Sequence, residues 1–170
     1  MSDELTSGRV AAESVRETTA MSGGGAVVRT RTNYWAILVA AATALVASSV
    51  WYTVFGHAWL TLRGMDASTH VTPQAWEIVG QLLRNLVVAL ALGTLLRRLG
   101  TTTRVGALRL GVLVWIGFQA MAIAGSVLHE HYPLGLYAIH AGDALMTTLI
   151  MALIIGSWRR EEDLKPDAQP

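Results

Sequence analysis

The sequence predicts an all-α membrane protein, an antiparallel bundle of four transmembrane helices with a short interfacial segment between spans one and two. Two observations carry this prediction. Hydrophobic residues make up 52% of the 170 residues and charged residues only 15%, well below the roughly 25% of a typical soluble domain. Of the 13 basic and 12 acidic residues, only ten lie between Tyr34 and Trp158. This part of the chain therefore has too little polar surface to face water and is expected to lie in a membrane.

The charge distribution divides the chain into three segments. Residues 1–33 are polar and rich in small side chains, and they are expected to form a mobile cytoplasmic N-terminal tail. Residues 34–158 are predicted to form the four-span transmembrane domain, and residues 159–170 a charged cytoplasmic C-terminal tail. Met21 is an alternative start of translation, which would leave the preceding residues outside the protein.

The cysteine count and the net charge exclude several classes of function. The chain has 0 cysteines, which excludes a disulfide scaffold, thiolate metal sites and cysteine nucleophiles. The formal net charge of +1 gives no reason to expect a nucleic-acid partner. Nothing in the sequence resembles a glycine-rich phosphate loop, a nucleophile elbow or a pair of catalytic carboxylates. No enzymatic activity and no cofactor are therefore expected.

The first apolar run covers residues 34–55, which as a helix would be ~33 Å long, enough to cross a hydrocarbon core of about 30 Å. It starts too late and runs too long for a typical signal peptide, although residues 47–49 weakly resemble a cleavage site and leave that alternative open. Residues 56–72 connect to the next span. A short interfacial helix is expected there, with one face formed by Trp59, Leu60, Leu62 and Met65.

The other three spans are bounded by clear signals. Thr72 is the expected N-cap of the second helix, because Pro73 follows it and proline favours the first helical turn. The second span is predicted at residues 76–96, the third at 105–128 and the fourth at 134–158. Residues 129–133 form a polar turn between the last two spans.

The distribution of arginines predicts which loops of the chain lie on the cytoplasmic side of the membrane. The loop between spans two and three contains Arg97, Arg98 and Arg104, whereas the first connector contains only Arg63 and the turn at residues 129–133 contains none. Cytoplasmic loops carry an excess of Lys and Arg. Both termini are therefore expected in the cytoplasm.

Small residues at helical spacing mark the expected contact faces between the helices. In lipid, close packing of small side chains replaces the hydrophobic drive that assembles soluble bundles. The stripes expected to pack are Ala40, Ala44 and Ser48 in span one, Ala120 and Ala124 in span three, and Ala138 and Gly142 in span four.

Four polar residues lie within the predicted spans: Arg84, Asn85, Gln119 and Asp143. Arg84, Gln119 and Asp143 are each roughly 12–13 Å from the outer end of their span, at a helical rise of ~1.5 Å per residue. Charged groups at this depth are costly and usually face the bundle interior. The sequence therefore predicts an Arg84–Asp143 ion pair whose remaining hydrogen bonds are made by the two amides.

Further polar residues extend this intramembrane cluster towards the outer side. Glu77 and Gln81 fall on the same predicted face of span two as Arg84, and His140 lies one turn outward of Asp143. Two interpretations remain open. In the first, the cluster specifies how the helices dock. In the second, Arg84, His140 and Asp143 line a path for a proton or a small anion.

The turn at residues 129–133 contains His129, Glu130 and His131, which could suggest a metal site. Their spacing matches no helical zinc motif, such as two histidines at i and i+4. The simpler interpretation is a solvated turn, and no metal is expected.

Five stretches of the membrane part form a recognisable set: NYWAILVA at 33–40, VWYTVFGHAW at 50–59, LVWIGF at 113–118, IHAGD at 139–143 and IGSW at 155–158. They resemble a bacterial family catalogued as domain of unknown function 1761. The resemblance covers about residues 34–158 and implies a small four-span protein of unassigned activity in the bacterial cytoplasmic (inner) membrane. At the position of His140 the family tends to carry an amide.

These observations lead to a first hypothesis, a multi-pass membrane protein that acts as a structural or interaction module. The alternative is a small transporter or channel subunit whose polar groove is formed by spans two, three and four. The lipid bilayer is the expected partner, together with a second copy of the chain or another membrane protein.

Overall fold

The computed structural model describes residues 33–66, 68, 69 and 72–163, with side chains up to Trp158. Its regular elements within these residues are four helices: α1 (Tyr34–Leu62), α2 (Ala75–Arg98), α3 (Arg104–His129) and α4 (Leu134–Asp163). Each contains a stretch long and apolar enough to cross a membrane. The predicted all-α fold with four spans is confirmed. The predicted N-terminal tail up to residue 32 and the last seven residues of the predicted C-terminal tail, 164–170, lie outside the described part.

Helix α1 is longer than the span predicted for it. Asn33 caps its start, where the side-chain oxygen accepts hydrogen bonds from the amides of Trp35 (3.1 Å) and Ala36 (3.3 Å). The helix continues past Phe55 to Leu62, because a single glycine at position 56 does not outweigh the helix-forming residues around it. The expected interfacial helix is thus the last two turns of α1. Gly64, with φ +69°, provides the turn that follows.

Helix α2 starts two residues later than Thr72 suggested. Its N-cap is Gln74, whose backbone amide donates to the Glu77 carboxylate at 2.9 Å. Glu77 therefore caps the helix from its third position, and a negative charge there also complements the helix dipole. The helix ends at Arg98, before Gly100 with φ +60°.

Helix α3 contains a π-helical segment that nothing in the sequence indicates. Regular α-helix runs over Arg104–Val114 and Met121–His129, and the π-helical turns of Trp115–Ala120 lie between them. A π-bulge widens a helix locally and changes which side chains face a neighbour. Here it coincides with Trp115 and Gln119, both of which contact α4.

Helix α4 is the centre of the bundle. It packs against α1, α2 and α3, whereas no α-carbon of α1 lies within 8 Å of an α-carbon of α3 in the described residues. Small residues permit the close approach of α3: a β-carbon on Gly156 would lie 2.7 Å from the Ala107 side chain, and one on Gly111 would lie 3.2 Å from that of Ala152.

Most of the predicted small-residue faces are found at contacts. Ala40 and Ala44 are fully buried, and Ser48 and Ala120 are almost so. Ala138 is the exception, because it is exposed. Gly142, the other predicted member on α4, lies against Trp51, and Gly135 on the same helix lies against Leu62.

The main cluster of buried apolar side chains lies towards one end of the bundle. We call the end that contains Asn33, Leu99 and Trp158 the Asn33 end, and the opposite end the Pro133 end. An apolar plug occupies the half nearer the Asn33 end, and its members are Ile37, Ala40, Ala41, Ala44, Ala89, Leu92, Leu96, Ala107, Met151 and Ile155. The buried polar side chains lie between this plug and the Pro133 end.

Candidate functional site

The candidate site is a layer of buried polar side chains near the middle of the bundle. We call it the polar layer. Helix α1 contributes one member, α2 another and α4 three, and all are at most 4% exposed: Ser48, Asn85, Asp143, Thr147 and Thr148. Two further side chains, Tyr52 of α1 and Gln119 of α3, bond to side chains of α4 in or next to this layer.

Asp143 is the ionisable residue of the polar layer. It is 2% exposed and lies beside the Ser48 hydroxyl of α1. Its second carboxyl oxygen, Oδ1, has no partner within the described residues. Asn85 is in a similar position on α2, since it is 1% exposed and its Nδ2 also has no partner there. The site thus contains one acceptor and one donor that are buried and unsatisfied.

His140 lies one turn from Asp143, as predicted, and is half-buried. Its Nδ1 is 2.7 Å from the Tyr52 hydroxyl of α1. The Tyr132 ring, from the turn before α4, lies 6.1 Å from the imidazole, centroid to centroid. Two aromatic rings therefore enclose His140 on the Pro133 side of the polar layer.

Two tryptophans attach α1 and α3 to the backbone of α4. Trp51 Nε1 donates to the Ile139 carbonyl at 3.1 Å, and Trp115 Nε1 donates to the Ala141 carbonyl at 2.9 Å. A carbonyl has two lone pairs, so it can accept such a bond in addition to its helical one. From sequence alone, a tryptophan near the outer end of a span is expected at the headgroup level. Its apolar neighbours alone could not reveal a partner on another helix.

Gln119 reaches α4 closer to the plug. Its Nε2 is 2.7 Å from Thr148 Oγ1, so the amide predicted to lie in the bundle interior does make an interhelical bond. The Thr147 hydroxyl donates to the Asp143 carbonyl at 2.8 Å. Neither threonine stood out in the sequence, because threonine is common in apolar spans and its role depends on the face it occupies.

Arg84 is not in the polar layer. It is exposed, and no salt bridge joins it to Asp143 in the part of the chain that the structure describes. The reason is the angle between neighbouring residues around the helix axis. Residues 84 and 85 are ~100° apart on the helix, and Asn85 takes the inward position. Helical side chains lean towards the N-terminus of their helix, which directs Arg84 towards the Pro133 end.

The remaining predicted members lie further out. Gln81 is half-buried and Glu77 is exposed, where it caps α2. His129, Glu130 and His131 are all exposed in the turn before α4. Within the described residues no group of three His, Cys, Asp or Glu side chains is placed to hold a metal ion.

The geometry defines what the site can do. It contains one carboxyl, one imidazole–phenol pair and several hydroxyl and amide groups, and the apolar plug closes it on the Asn33 side. Such a set can join helices or hold a proton or a small polar molecule.

Comparison with curated proteins and with solved structures gives no significant match. The model of one protein family matches residues 35–156, which is most of the chain and all four spans. The chain therefore belongs to the family described as protein of unknown function (DUF1761).

Proposed function

We propose that this chain is a structural module of the membrane, a bundle whose polar layer fixes the arrangement of its helices. The observation that carries this proposal is the direction of the interhelical hydrogen bonds. Trp51 and Tyr52 of α1 and Trp115 and Gln119 of α3 all bond to α4. Because the backbones of α1 and α3 do not pack closely against each other, these bonds to a shared helix help to define their relative positions.

The apolar plug supports the same proposal. Leu92 and Leu96 of α2 are fully buried, and Met151 of α4 is 1% exposed. Together with the alanines of α1 they fill the half of the bundle between the polar layer and the Asn33 end. A hydrophobic constriction without water blocks the passage of ions, and the plug has this character.

Two measurements test the structural proposal. Trp115→Phe removes one bond to α4 and is expected to lower the free energy of unfolding in detergent by about 1 kcal/mol. Phe118→Leu, on the same helix at a side chain that is 72% exposed, is the control and is expected to change little. In proteoliposomes the parent chain is expected to conduct neither protons nor small anions above the protein-free level. Proton flux that Asp143→Asn abolishes would overturn the proposal.

A second candidate function, a small transporter or channel subunit, is favoured by one observation. Asn85 Nδ2 and Asp143 Oδ1 are buried without partners, and an unsatisfied polar atom in the membrane interior costs free energy unless something binds it. His140 and Tyr52 lie between this pair and the Pro133 end. Flux that depends on Asp143 and His140, and that rises when Leu92→Ala opens the plug, would support this function.

We also propose an orientation, with both termini in the cytoplasm of a bacterial cell. Arg97, Arg98, Arg104 and Arg109 are near the Asn33 end, and a cluster of this kind favours the cytoplasmic side. The chain has 0 cysteines, so single cysteines report topology directly. Thr102→Cys is expected to resist a membrane-impermeant thiol reagent in intact cells, and Thr72→Cys is expected to react. The reverse pattern would contradict the orientation.

A further inference from the structure

A groove of about 420 Å³ lies on the surface of α4 at the Asn33 end of the bundle. It lies between α1 and α3, whose backbones do not pack closely against each other, and its floor is a strip of α4. Six residues line it: Val39 from α1, Arg104 from α3, and Leu153, Ile154, Ser157 and Trp158 from α4. None of them belongs to the polar layer.

The lining changes in character with depth. Arg104 is the first residue of α3, and Trp158 ends the apolar stretch of α4, so both lie at the boundary of the membrane. Leu153 and Ile154 are about one helical turn deeper, at ~1.5 Å of rise per residue. The groove is therefore cationic and polar at its mouth and apolar below it.

Arg104 provides the positive charge at the mouth. Asp66, Glu77 and Glu130 are near the Pro133 end, and the turn of α4 that follows Trp158 contains two arginines and three acidic residues, RREED at 159–163. Arg104 is exposed and forms no salt bridge within the described residues. It also stands at the N-terminus of α3, where the helix dipole adds partial positive charge.

We propose that this groove binds an anionic phospholipid from the leaflet at the Asn33 end. The phosphate lies at Arg104, within reach of the Ser157 hydroxyl and the Trp158 indole, and an acyl chain lies along Leu153 and Ile154. Basic pockets between transmembrane helices are typical sites for acidic headgroups. Only a lipid matches both halves of the lining, because a free anion would leave the apolar part uncovered.

The binding experiment uses the full chain purified in detergent and titrated by native mass spectrometry with phosphatidylglycerol and with phosphatidylcholine. Phosphatidylglycerol is expected to bind more tightly. Arg104→Gln is expected to weaken its binding about fivefold, as the loss of one basic group near an acidic headgroup does. Arg109→Gln removes the same charge from the same helix outside the groove and is the matched control, with affinity expected to stay at the parent value.

A second variant tests the apolar half. Val39 is 41% exposed, so Val39→Trp fills the groove without disturbing buried packing, and it is expected to reduce lipid binding while thermal stability is kept. Equal binding of the two lipids, or equal loss in Arg104→Gln and Arg109→Gln, would overturn the proposal. Thermal stabilisation by inorganic phosphate that equals that of the lipid and needs Arg104 would also overturn it, since the site would then serve a soluble anion.

Discussion

The indole ring of Trp51 occupies the space that a β-carbon on Gly142 would need. Such a carbon would lie 2.7 Å from Cζ2 and 3.0 Å from Cη2 of the ring. In this position Trp51 Nε1 donates to the Ile139 carbonyl at 3.1 Å. The glycine beside Asp143 thus lets α1 and α4 approach closely enough for a bond to the helix backbone, and it places Ser48, one turn from Trp51, at the Asp143 carboxyl.

Gly142→Ala is expected to destabilise the bundle by about 1–3 kcal/mol, because the added methyl group displaces the indole and breaks its bond to α4. Thermal or denaturant unfolding in detergent measures the change. Gly80→Ala is the matched control: it lies in α2 with nothing within 4 Å of the added carbon, so alanine is expected to be neutral or slightly stabilising there. In a Trp51→Phe background the cost of Gly142→Ala is expected to fall, and an unchanged cost would contradict this account.

The Tyr52–His140 contact yields a second prediction. Tyr52→Phe removes the 2.7 Å hydrogen bond between α1 and α4, and such bonds in membrane proteins contribute about 0.6 kcal/mol on average and about 1.7 at most. Tyr137→Phe, also half-buried, removes a hydroxyl that has no hydrogen bond within the described residues, and it is expected to cost less. A double-mutant cycle with His140→Phe measures the coupling, and a coupling of zero would show that the contact does not stabilise the bundle.

The spans could be predicted from sequence because hydropathy and length decide them. The partners of individual polar side chains could not, because they depend on helix rotation. Asn85 and Arg84 are adjacent, and hydropathy does not determine which of them turns inward. The direction in which the Gln119 side chain points depends on the π-helical segment, and no sequence pattern predicts that segment. Trp51 looked like an interfacial anchor until the position of Gly142 on the facing helix was known.

Arg84 provides a direct test of that rotation. Since it is exposed and forms no salt bridge in the described structure, Arg84→Gln is expected to change the free energy of unfolding by less than about 0.5 kcal/mol. A cycle with Asp143→Asn is expected to show no coupling, and Arg109→Gln on α3 provides the reference for loss of an exposed charge. Strong coupling, with the double variant more stable than either single one, would show that the predicted ion pair forms after all.

Asp66 gives a pH-dependent prediction outside the membrane. The Ser68 hydroxyl (2.7 Å) and amide (2.8 Å) donate to its carboxylate and lower the pKa of Asp66 below its usual value. Because the pKa is lowered, the ionised carboxylate stabilises the turn at any pH above the usual pKa of an aspartate. This stabilisation is lost as the pH falls through the lowered pKa of the folded protein. Ser68→Ala is expected to raise the pKa of Asp66, as measured by NMR titration of the carboxyl carbon. Thr72→Ala is the control, and an unchanged pKa in Ser68→Ala would contradict the assignment.

The Gln119–Thr148 bond predicts an asymmetry between its two partners. Thr148→Val keeps the shape of a fully buried side chain but leaves the Gln119 amide without its acceptor, and it is expected to cost about 1 kcal/mol. Gln119→Leu is expected to cost less, because the Thr148 hydroxyl can rotate to the carbonyl four residues before it, as that of Thr147 already does. The double variant should therefore be more stable than Thr148→Val alone. Equal costs for the two single variants, measured by unfolding in detergent, would mean that the amide finds another acceptor and that the bond does not position α3 on α4.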